Sequence, residues 1–206
     1  MTANAYWMQY KDQLVLTGEI NNVGNPVMVN IPDSYRAGIE IQISRNLGSR
    51  LKAMAHLSLS RNKIKEFTEY IDNWDTWGQE TRYHESTDIA FSPSLIAGYT
   101  VQWSPGDALS IRLNGKYAGR QFIDNTSSPD KTLDPWWTTD LRADYSFSLP
   151  YVSSTRIFLS VINLFDHAYE SNAWVYSYLY QGKEYKLDGY FPQAGIHFMA
   201  GLELGL

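Results

Sequence analysis

The chain has 206 residues, enough for one domain, and a formal net charge of −5, which argues against nucleic acid as its main partner. It holds no cysteine, so it has neither a disulfide framework nor a thiolate metal site, and its histidines (His56, His84, His167, His197) lack the spacing of a metal pair. No apolar run approaches the ~20 residues of a membrane helix, which leaves membrane strands open because alternation hides their lipid face from a hydropathy scan.

Period-two alternation is the dominant signal along the chain. The first strand, 5–15, sets Tyr6, Met8 and Tyr10 against Trp7, Gln9 and Lys11. A polar stretch with Gly18, Gly24 and two prolines reads as a loop over 17–33. The second strand alternates sharply, with Tyr35, Ala37, Ile39, Ile41 and Ile43 on one face and Arg36, Gly38, Glu40, Gln42 and Ser44 on the other. A turn at Asn46, Leu47 and Gly48 returns the chain into a third strand, with Leu51, Ala53, Ala55, Leu57 and Leu59 opposite Lys52, Met54, His56, Ser58 and Ser60. Both apolar sets are odd-numbered, so a hairpin that keeps them on one face needs an odd loop, and Asn46 to Gly48 supplies one.

A long aromatic loop is expected over 67–87. The fourth strand, 89–103, places Ile89, Phe91, Pro93, Leu95, Ala97, Tyr99, Val101 and Trp103 on one face, with Pro93 marking a bulge. After a Pro105-Gly106 turn, the fifth sets Leu109, Ile111, Leu113 and Tyr117 against Ser110, Arg112, Asn114, Lys116 and Arg120. A loop over 123–133 leads to the sixth, with Trp137, Leu141, Ala143, Tyr145 and Phe147 against Trp136, Thr138, Asp140, Arg142, Asp144 and Ser146. The seventh, 155–165, is apolar on both faces and its sides are not readable. An aromatic segment over 166–190 precedes the last strand, where Ile196, Phe198, Ala200, Leu202, Leu204 and Leu206 alternate with His197, Met199, Gly201, Glu203 and Gly205.

About eight antiparallel strands, each near the ~9–11 residues that cross a bilayer when tilted, make an all-β transmembrane barrel or part of one. Short turns at Gly48, Gly106 and Pro150 alternate with long connections after Thr17, Phe67, Ile123 and Asp166, the asymmetry of bacterial outer-membrane barrels. Tyr35, Trp103 and Trp137 at strand ends fit aromatic girdles. Glycine and serine on the polar face (Gly38, Ser44, Ser58, Ser92, Ser94, Gly98) are too small to fill a closed eight-stranded lumen and suit the wall of a wider barrel. Because no leader precedes the first strand, the chain is expected to be one piece of a longer protein, and its two edge strands are expected to stay unpaired in an open sheet.

No nucleophile elbow, zincin helix or phosphate loop is present, and no enzyme activity, metal or cofactor is assigned. Asp140 and Asp144 flank Arg142 on one face; a charge lattice answered across the ladder by Arg112, Lys116 and Arg120 is the plainer reading of them than catalysis. Asn125-Thr126-Ser127 carries no weight as a sequon. The outer aromatic stretches hold the candidate ligand-binding residues Trp74, Trp77, Arg82, Tyr83, Trp174 and Tyr176, since aromatic faces beside a cation could hold a siderophore, haem, sugar or peptide. Packing of these loops against one another is the alternative.

Two segments carry a family resemblance. INLFDHAYE, starting at Ile162, and YFPQAGIHFMAGLELGL, starting at Tyr190, resemble the penultimate strand-loop and closing strand of TonB-dependent outer-membrane receptors; PDSYRAGIEIQIS from Pro32 and SRNKIKEFTEYIDNW from Ser60 are similar to Bacteroidetes-type members. The resemblance implies the C-terminal portion, 1–206, of a ~22-stranded barrel whose N-terminal plug and TonB-contacting segment lie upstream. It implies the outer membrane of a Gram-negative bacterium, lipid around the barrel, active uptake of an unnamed small molecule, and TonB as partner through the missing part. Gly201, Leu204 and Leu206 are similar to the signal read by the barrel-assembly machinery, which usually ends in an aromatic residue. The alternative is a stand-alone eight-stranded barrel serving as anchor or adhesin.

Overall fold

The alternation resolves into one antiparallel sheet in the computed structural model, which describes residues 1–20 and 26–205. Eight strands follow one another along it: β1 (Thr2–Ile20), β2 (Pro26–Leu47), β3 (Leu51–Asn73), β5 (Leu95–Trp103), β6 (Leu109–Ala118), β9 (Trp136–Leu149), β10 (Val152–Ile162) and β13 (His197–Gly205). Above them, β4 (Gly78–Asp88) pairs with the far half of β3, while β11 (Glu170–Tyr180) and β12 (Lys183–Pro192) form a hairpin that reaches β3. Short strands β7 (Gln121–Phe122) and β8 (Thr132–Leu133) form a separate ribbon. Among the described residues β1 and β13 do not pair, so the sheet is open at both ends of the path.

Registers keep the apolar sets together. Ile41 lies opposite Leu57, Leu57 opposite Ala97, Val101 opposite Leu113, Leu113 opposite Leu141, Ala143 opposite Leu159, and Leu159 opposite Ala200. One apolar face therefore runs from β2 to β13, with exposed Ile39, Leu59, Trp103, Tyr145, Leu159 and Phe198 on it. These registers also settle the two strands whose sides the sequence leaves open or ambiguous. In β10, Ile157, Leu159 and Val161 join the apolar face. Phe158 lies on the polar face, where the Arg142 guanidinium covers its ring at 4.0 Å and Gly201 has no side chain to obstruct it. In β1, Trp7 takes the apolar face and stacks on Tyr35 with ring centroids 5.0 Å apart, whereas Tyr6 lies over Gly38 on the polar face.

Several boundaries differ from the sequence reading. The first hairpin turn is 48–50, between paired Leu47 and Leu51; it keeps the odd length, with Gly48 opening it at φ +76. Residues 89–94 do not continue β5: Phe91 has φ +52, and Pro93, with no N–H to give, leaves its carbonyl to the Ser60 hydroxyl. The stretches expected as long loops are mostly strand. β1 and β2 extend through much of 17–33, although Gly24 lies outside the described residues, and β3, β4, β11 and β12 occupy most of 67–87 and 166–190. At ~3.3 Å per residue, the 23 residues of β3 reach roughly 75 Å, far more than the ~30 Å of a hydrocarbon core. The far halves of β1 to β4 are thus built to stand outside a bilayer.

The physical reason the alternation becomes unreadable there is a reversal of sides. Each of these strands carries one extra residue at the same height: Asp12 (φ +54) in β1, the Pro32–Asp33 step in β2, Lys65 in β3 and Ser86 (φ +55) in β4. Pairing continues without a slip because every strand takes the same step. Ser34 and Ile64, on the polar-face parity, are buried, and beyond the step burial passes to odd residues: Val15 and Thr17, Ile31, and Phe67, Glu69 and Ile71. Val15, Ile31, Ile64, Phe67 and Ile89 form one apolar cluster on this inner side.

The continuous apolar face, odd-numbered in β2 and β3, should be the lipid face. Placing arginine at Leu57 in the full-length protein should cost about 2–4 kcal/mol in a bilayer folding titration, while Ser58→Arg should be far milder; equal costs would contradict the assignment.

Candidate functional site

The β3–β4 and β11–β12 hairpins meet tip to tip. Asn73 shapes the first tip, its side-chain oxygen accepting from the N–H groups of Asp75 (2.9 Å) and Thr76 (3.2 Å). Gln181 (φ +53) and Gly182 (φ +67) form the second as a two-residue hairpin turn. The Asp75 carboxylate accepts both of that turn's N–H groups, at 2.8 and 2.9 Å. Beside it the Trp74 N–H donates to the Leu179 carbonyl (2.9 Å), continuing a short parallel pairing of β3 with β11.

Side chains reinforce the junction. The Trp74 indole stacks on Tyr178 at 4.1 Å, and its Nε1 donates to the Tyr176 hydroxyl at 3.3 Å. That hydroxyl donates to Asp72 at 2.7 Å. Burial, then the hydrogen bond to the Asp72 carboxylate, push the Tyr176 phenol up to about 12 against the opposing Trp74 N–H. Arg82 reaches Glu184 of β12 at 2.9 Å, a bond that raises the guanidinium further. Asp75 is held below the usual carboxylate range by the Gly182 and Gln181 N–H groups.

Beneath the junction lies a buried ionic cluster. Lys131, between β7 and β9, bridges Glu69 and Asp124 at 3.0 Å each. Glu69 also meets His84 at 2.9 Å and Arg82 at 3.8 Å. Burial pulls the Lys131 ammonium down, but the carboxylates of Asp124 and Glu69 more than offset this and leave it raised. Asn125 locks the same loop in place, accepting from the Ala90 N–H (2.8 Å) and donating to the Leu16 carbonyl (2.9 Å). It is buried, which is the structural reason to disregard the sequon.

Of the six residues singled out in the sequence, Trp74, Arg82 and Tyr176 come together in the junction. Trp77 sits alone on the β3–β4 tip, 89% exposed. Tyr83 is exposed on β4. Trp174 lies flat across Gly189, where any side chain would collide with the indole, and it remains nearly half exposed. Glu69, Asp124, Lys131 and Asp75 escaped the sequence reading. A trace of Glu69 is present there: a lone carboxylate between Phe67 and Ile71, on a buried face, requires a buried cation.

Nearer the chain's end, Asn163 (φ +53) explains the INLFD segment. Its N–H donates to Asp140, and its amide bonds the His167 N–H and the carbonyls of His167 and Ala194. Asp166 then accepts the Ile196 N–H at 2.8 Å, fixing where the last strand begins. Asp140 and Asp144 therefore serve separate tasks, and of the expected cross-ladder lattice the charge of Arg112 reaches Asp144 from the neighbouring strand. Arg142 binds Asp144 within its own strand (2.8 Å), Lys116 stands over Trp136 at 5.0 Å, and Arg112 faces Arg142. Of the three residues expected to form an assembly signal, Gly201 and Leu204 lie in β13, and Leu206 is outside the described residues.

An open antiparallel sheet with one continuous apolar face, outer hairpins far longer than a bilayer and short turns at the other end is the wall of an outer-membrane barrel. The family model described as "TonB dependent receptor-like, beta-barrel" matches residues 1–164, and the chain belongs to that family. Among solved structures, the siderophore receptor PiuA from Acinetobacter baumannii aligns with a TM-score of 0.67 at 12% identity, over 97% of this chain and 25% of its own. The ferric-catecholate import receptor Fiu from K12 E. coli aligns at 0.59 and 15% identity, over 97% and 24%. The ferric yersiniabactin uptake receptor FyuA from Yersinia pestis aligns at 0.59 and 16%, over 97% and 26%. The chain thus spans about a quarter of the length of these structures. No curated protein sequence matches it.

Two outcomes follow from this geometry. Lys131→Met would remove the cation that joins buried Glu69 to half-buried Asp124, leaving Glu69 to His84 and Arg82, and should destabilise the outer hairpin layer of the full-length protein by about 1–3 kcal/mol, read as faster amide exchange across β7, β8 and the far half of β3; unchanged exchange would contradict the bridging role. Because Asp75 is depressed, its hold on the second tip is complete above the ordinary carboxylate value and fades as pH falls through its lowered one. Protection of the Gln181 and Gly182 amides, corrected for intrinsic rate, should persist at pH 5–7, drop in more acid solution, and be absent at every pH in Asp75→Ala.

Proposed function

We propose that the chain is the C-terminal portion of a TonB-dependent receptor in the outer membrane of a Gram-negative bacterium, and that the whole protein takes up a scarce nutrient into the periplasm by transport rather than catalysis. The observation that carries this reading is the eight-strand path with unpaired ends, which covers a quarter of much longer barrels. The remaining strands, the plug and the TonB-contacting segment belong to the rest of the protein. Resemblance of the stretches beginning at Pro32 and Ser60 supports a Bacteroidetes-type member. Gly201, Leu204 and Leu206 serve as the signal for the barrel-assembly machinery, and lipid covers the continuous apolar face. A stand-alone eight-stranded barrel would need β1 to pair with β13.

The ligand meets the outer hairpins. Trp77, Trp174 and Tyr83 have open surfaces and are the contact residues, whereas Trp74, Tyr176 and Arg82 are occupied by one another's hairpins and act by positioning. Broad aromatic surface suits a ring-bearing cargo, whether siderophore, haem, vitamin, glycan or peptide. The similar structures include a siderophore receptor, a ferric-catecholate import receptor and a ferric yersiniabactin uptake receptor, and a siderophore is the first cargo to try. In the full-length receptor, Trp77→Ala with Trp174→Ala should lower uptake about tenfold or more, as removal of aromatic anchors does, with the assembled receptor at normal level. Normal uptake, or a loss matched by poor assembly, would return these residues to a packing role.

A further inference from the structure

Ionisable side chains are sorted by height in this protein. Between residues 66 and 88, the carboxylates of Glu66, Glu69, Asp72, Asp75, Glu80, Glu85 and Asp88 share the stretch with a single fixed cation, Arg82. The other outer stretches, 12–33, 121–133 and 166–192, add nine carboxylates and three lysines. The outer layer thus holds 16 of the chain's 22 acidic side chains and four of its 17 basic ones, a formal charge of −12 against +7 for the rest, which together make the −5 of the whole. Three of those four cations are already matched. Arg82 meets Glu184 at 2.9 Å and also answers Glu69 and Glu80, Lys186 meets Asp188 at 2.9 Å, and Lys131 lies between Glu69 and Asp124. At the base of the layer Asp88 and Asp33 find Lys63 and Lys65 (3.0 and 3.6 Å), and with these counted the layer stays strongly negative. Much of the excess on β3 and β4 is held by neutral donors, which satisfy oxygens without cancelling charge. Asp72 accepts from the Tyr176 hydroxyl and from the Gln79 amide (3.1 Å), Asp75 from the Gln181 and Gly182 N–H groups, and Glu80 from the Asn73 amide (2.7 Å). Glu66 stands directly opposite Glu85 across the ladder, a like-charge pair that costs stability.

The open aromatic rings lie in this field. Trp77 follows Asp75 by two residues at the β3–β4 tip, and Tyr83 is exposed beside Glu66, its phenol pushed up by desolvation and then by that carboxylate. The face of an aromatic ring is negative and attracts cations. Ring faces and carboxylates are independent features, and both select positive charge. A surface of one sign also raises the local concentration of the opposite ion and speeds its encounter, so the same layer repels an anionic cargo. A bare metal ion is a poor match. Such an ion needs several oxygen or imidazole ligands around it, and among the described residues no three acidic or histidine side chains are grouped to hold one. An organic ammonium needs no such cage, because ring faces and dispersed carboxylates both serve it.

We propose that the cargo is a net cation, an organic molecule or metal complex carrying a protonated amine, drawn in by the acidic outer layer and seated on Trp77, Trp174 and Tyr83. This rests on the uptake reading and narrows it. Among siderophores it selects a ferric hydroxamate with a free amine over a ferric tris-catecholate, whose ligand charge outweighs that of the metal. The test uses the full-length receptor in detergent and one ferric trihydroxamate in three forms that differ only at a terminal amine: free, acetylated or succinylated. Binding is read from retention of the radiolabelled iron complex by the receptor. The ammonium form should bind about tenfold or more tighter than the succinylated form at low ionic strength, with the acetylated form between them, and the gap should close as salt is raised. Glu66→Gln with Glu85→Gln should weaken the ammonium form about threefold and leave the acetylated form unchanged, with assembled receptor at its normal level. Equal affinities, the reverse order, a gap indifferent to salt or to the double variant, or binding by none of the three would overturn the proposal. Uptake is scored separately with the Trp77 and Trp174 variants. A neutral or anionic cargo whose uptake needs those rings would sink the charge assignment and leave the uptake reading standing; a protein that binds the ammonium form without carrying it inward would do the reverse.

Discussion

Backbone hydrogen bonding in a medium without water is the constraint on which everything else here depends. In hydrocarbon each unpaired N–H or C=O costs several kcal/mol, so a membrane sheet must close on itself. β1 pairs on one side with β2, and β13 on one side with β10. Their free edges would have to be completed by strands beyond this chain. Stability of a domain is only roughly 5–15 kcal/mol, less than two open edges of such length would demand. The single apolar face, the odd-length turn at 48–50 and the shared parity of neighbouring strands are consequences of the same requirement, because only a register that keeps lipid-facing residues together can be fully paired without burying the wrong side.

Outside the bilayer the requirement relaxes, and the chain changes its rule. At the level of Asp12, Pro32, Lys65 and Ser86 the strands each take one extra residue and exchange faces. Residues of the parity that would meet lipid lower down now form an inner cluster around Ile31 and Phe67, continuous with the Glu69–Lys131–Asp124 ion cluster. Buried ions of this kind are poor sources of stability and good sources of specificity, because only one arrangement satisfies them. The 121–133 loop and the β11–β12 hairpin are thereby pinned across the far end of the wall, which is where a cargo would first be met.

The sequence carries the wall clearly and the outer layer poorly. Ile39 to Ile43 and Leu51 to Leu59 alternate because one side must be apolar, so strand, face and turn parity are legible there together. β10 is not, because Phe158 occupies the polar face under a guanidinium, an apolar residue whose partner is distant in the chain. The long hairpins read as loops for a related reason. With water available on both sides, Thr81 to Ser86 need no alternation, and the face exchange breaks the periodicity where it would otherwise continue. Trp74, Arg82 and Tyr176 were visible as residue types, yet whether an aromatic holds a ligand or another hairpin depends on contacts across roughly a hundred residues, such as Trp74 with Tyr176. Nor does spacing reveal that Asp75 caps a turn at Gln181.

The most direct measurement of the central claim asks what lies beside the edge strands. The chain has no cysteine, so pairs can be introduced cleanly, one at Ala3 or Ala5 of β1 and one at Ala200, Leu202 or Leu204 of β13. In the full-length protein in outer membranes, oxidation should give no intramolecular disulfide at any of these pairs, while a control pair at Ile41 and Leu57, neighbours across β2 and β3, should close. An efficient β1–β13 disulfide in a folded monomer would mean that eight strands close on themselves, and would contradict the account of this chain as one part of a larger barrel.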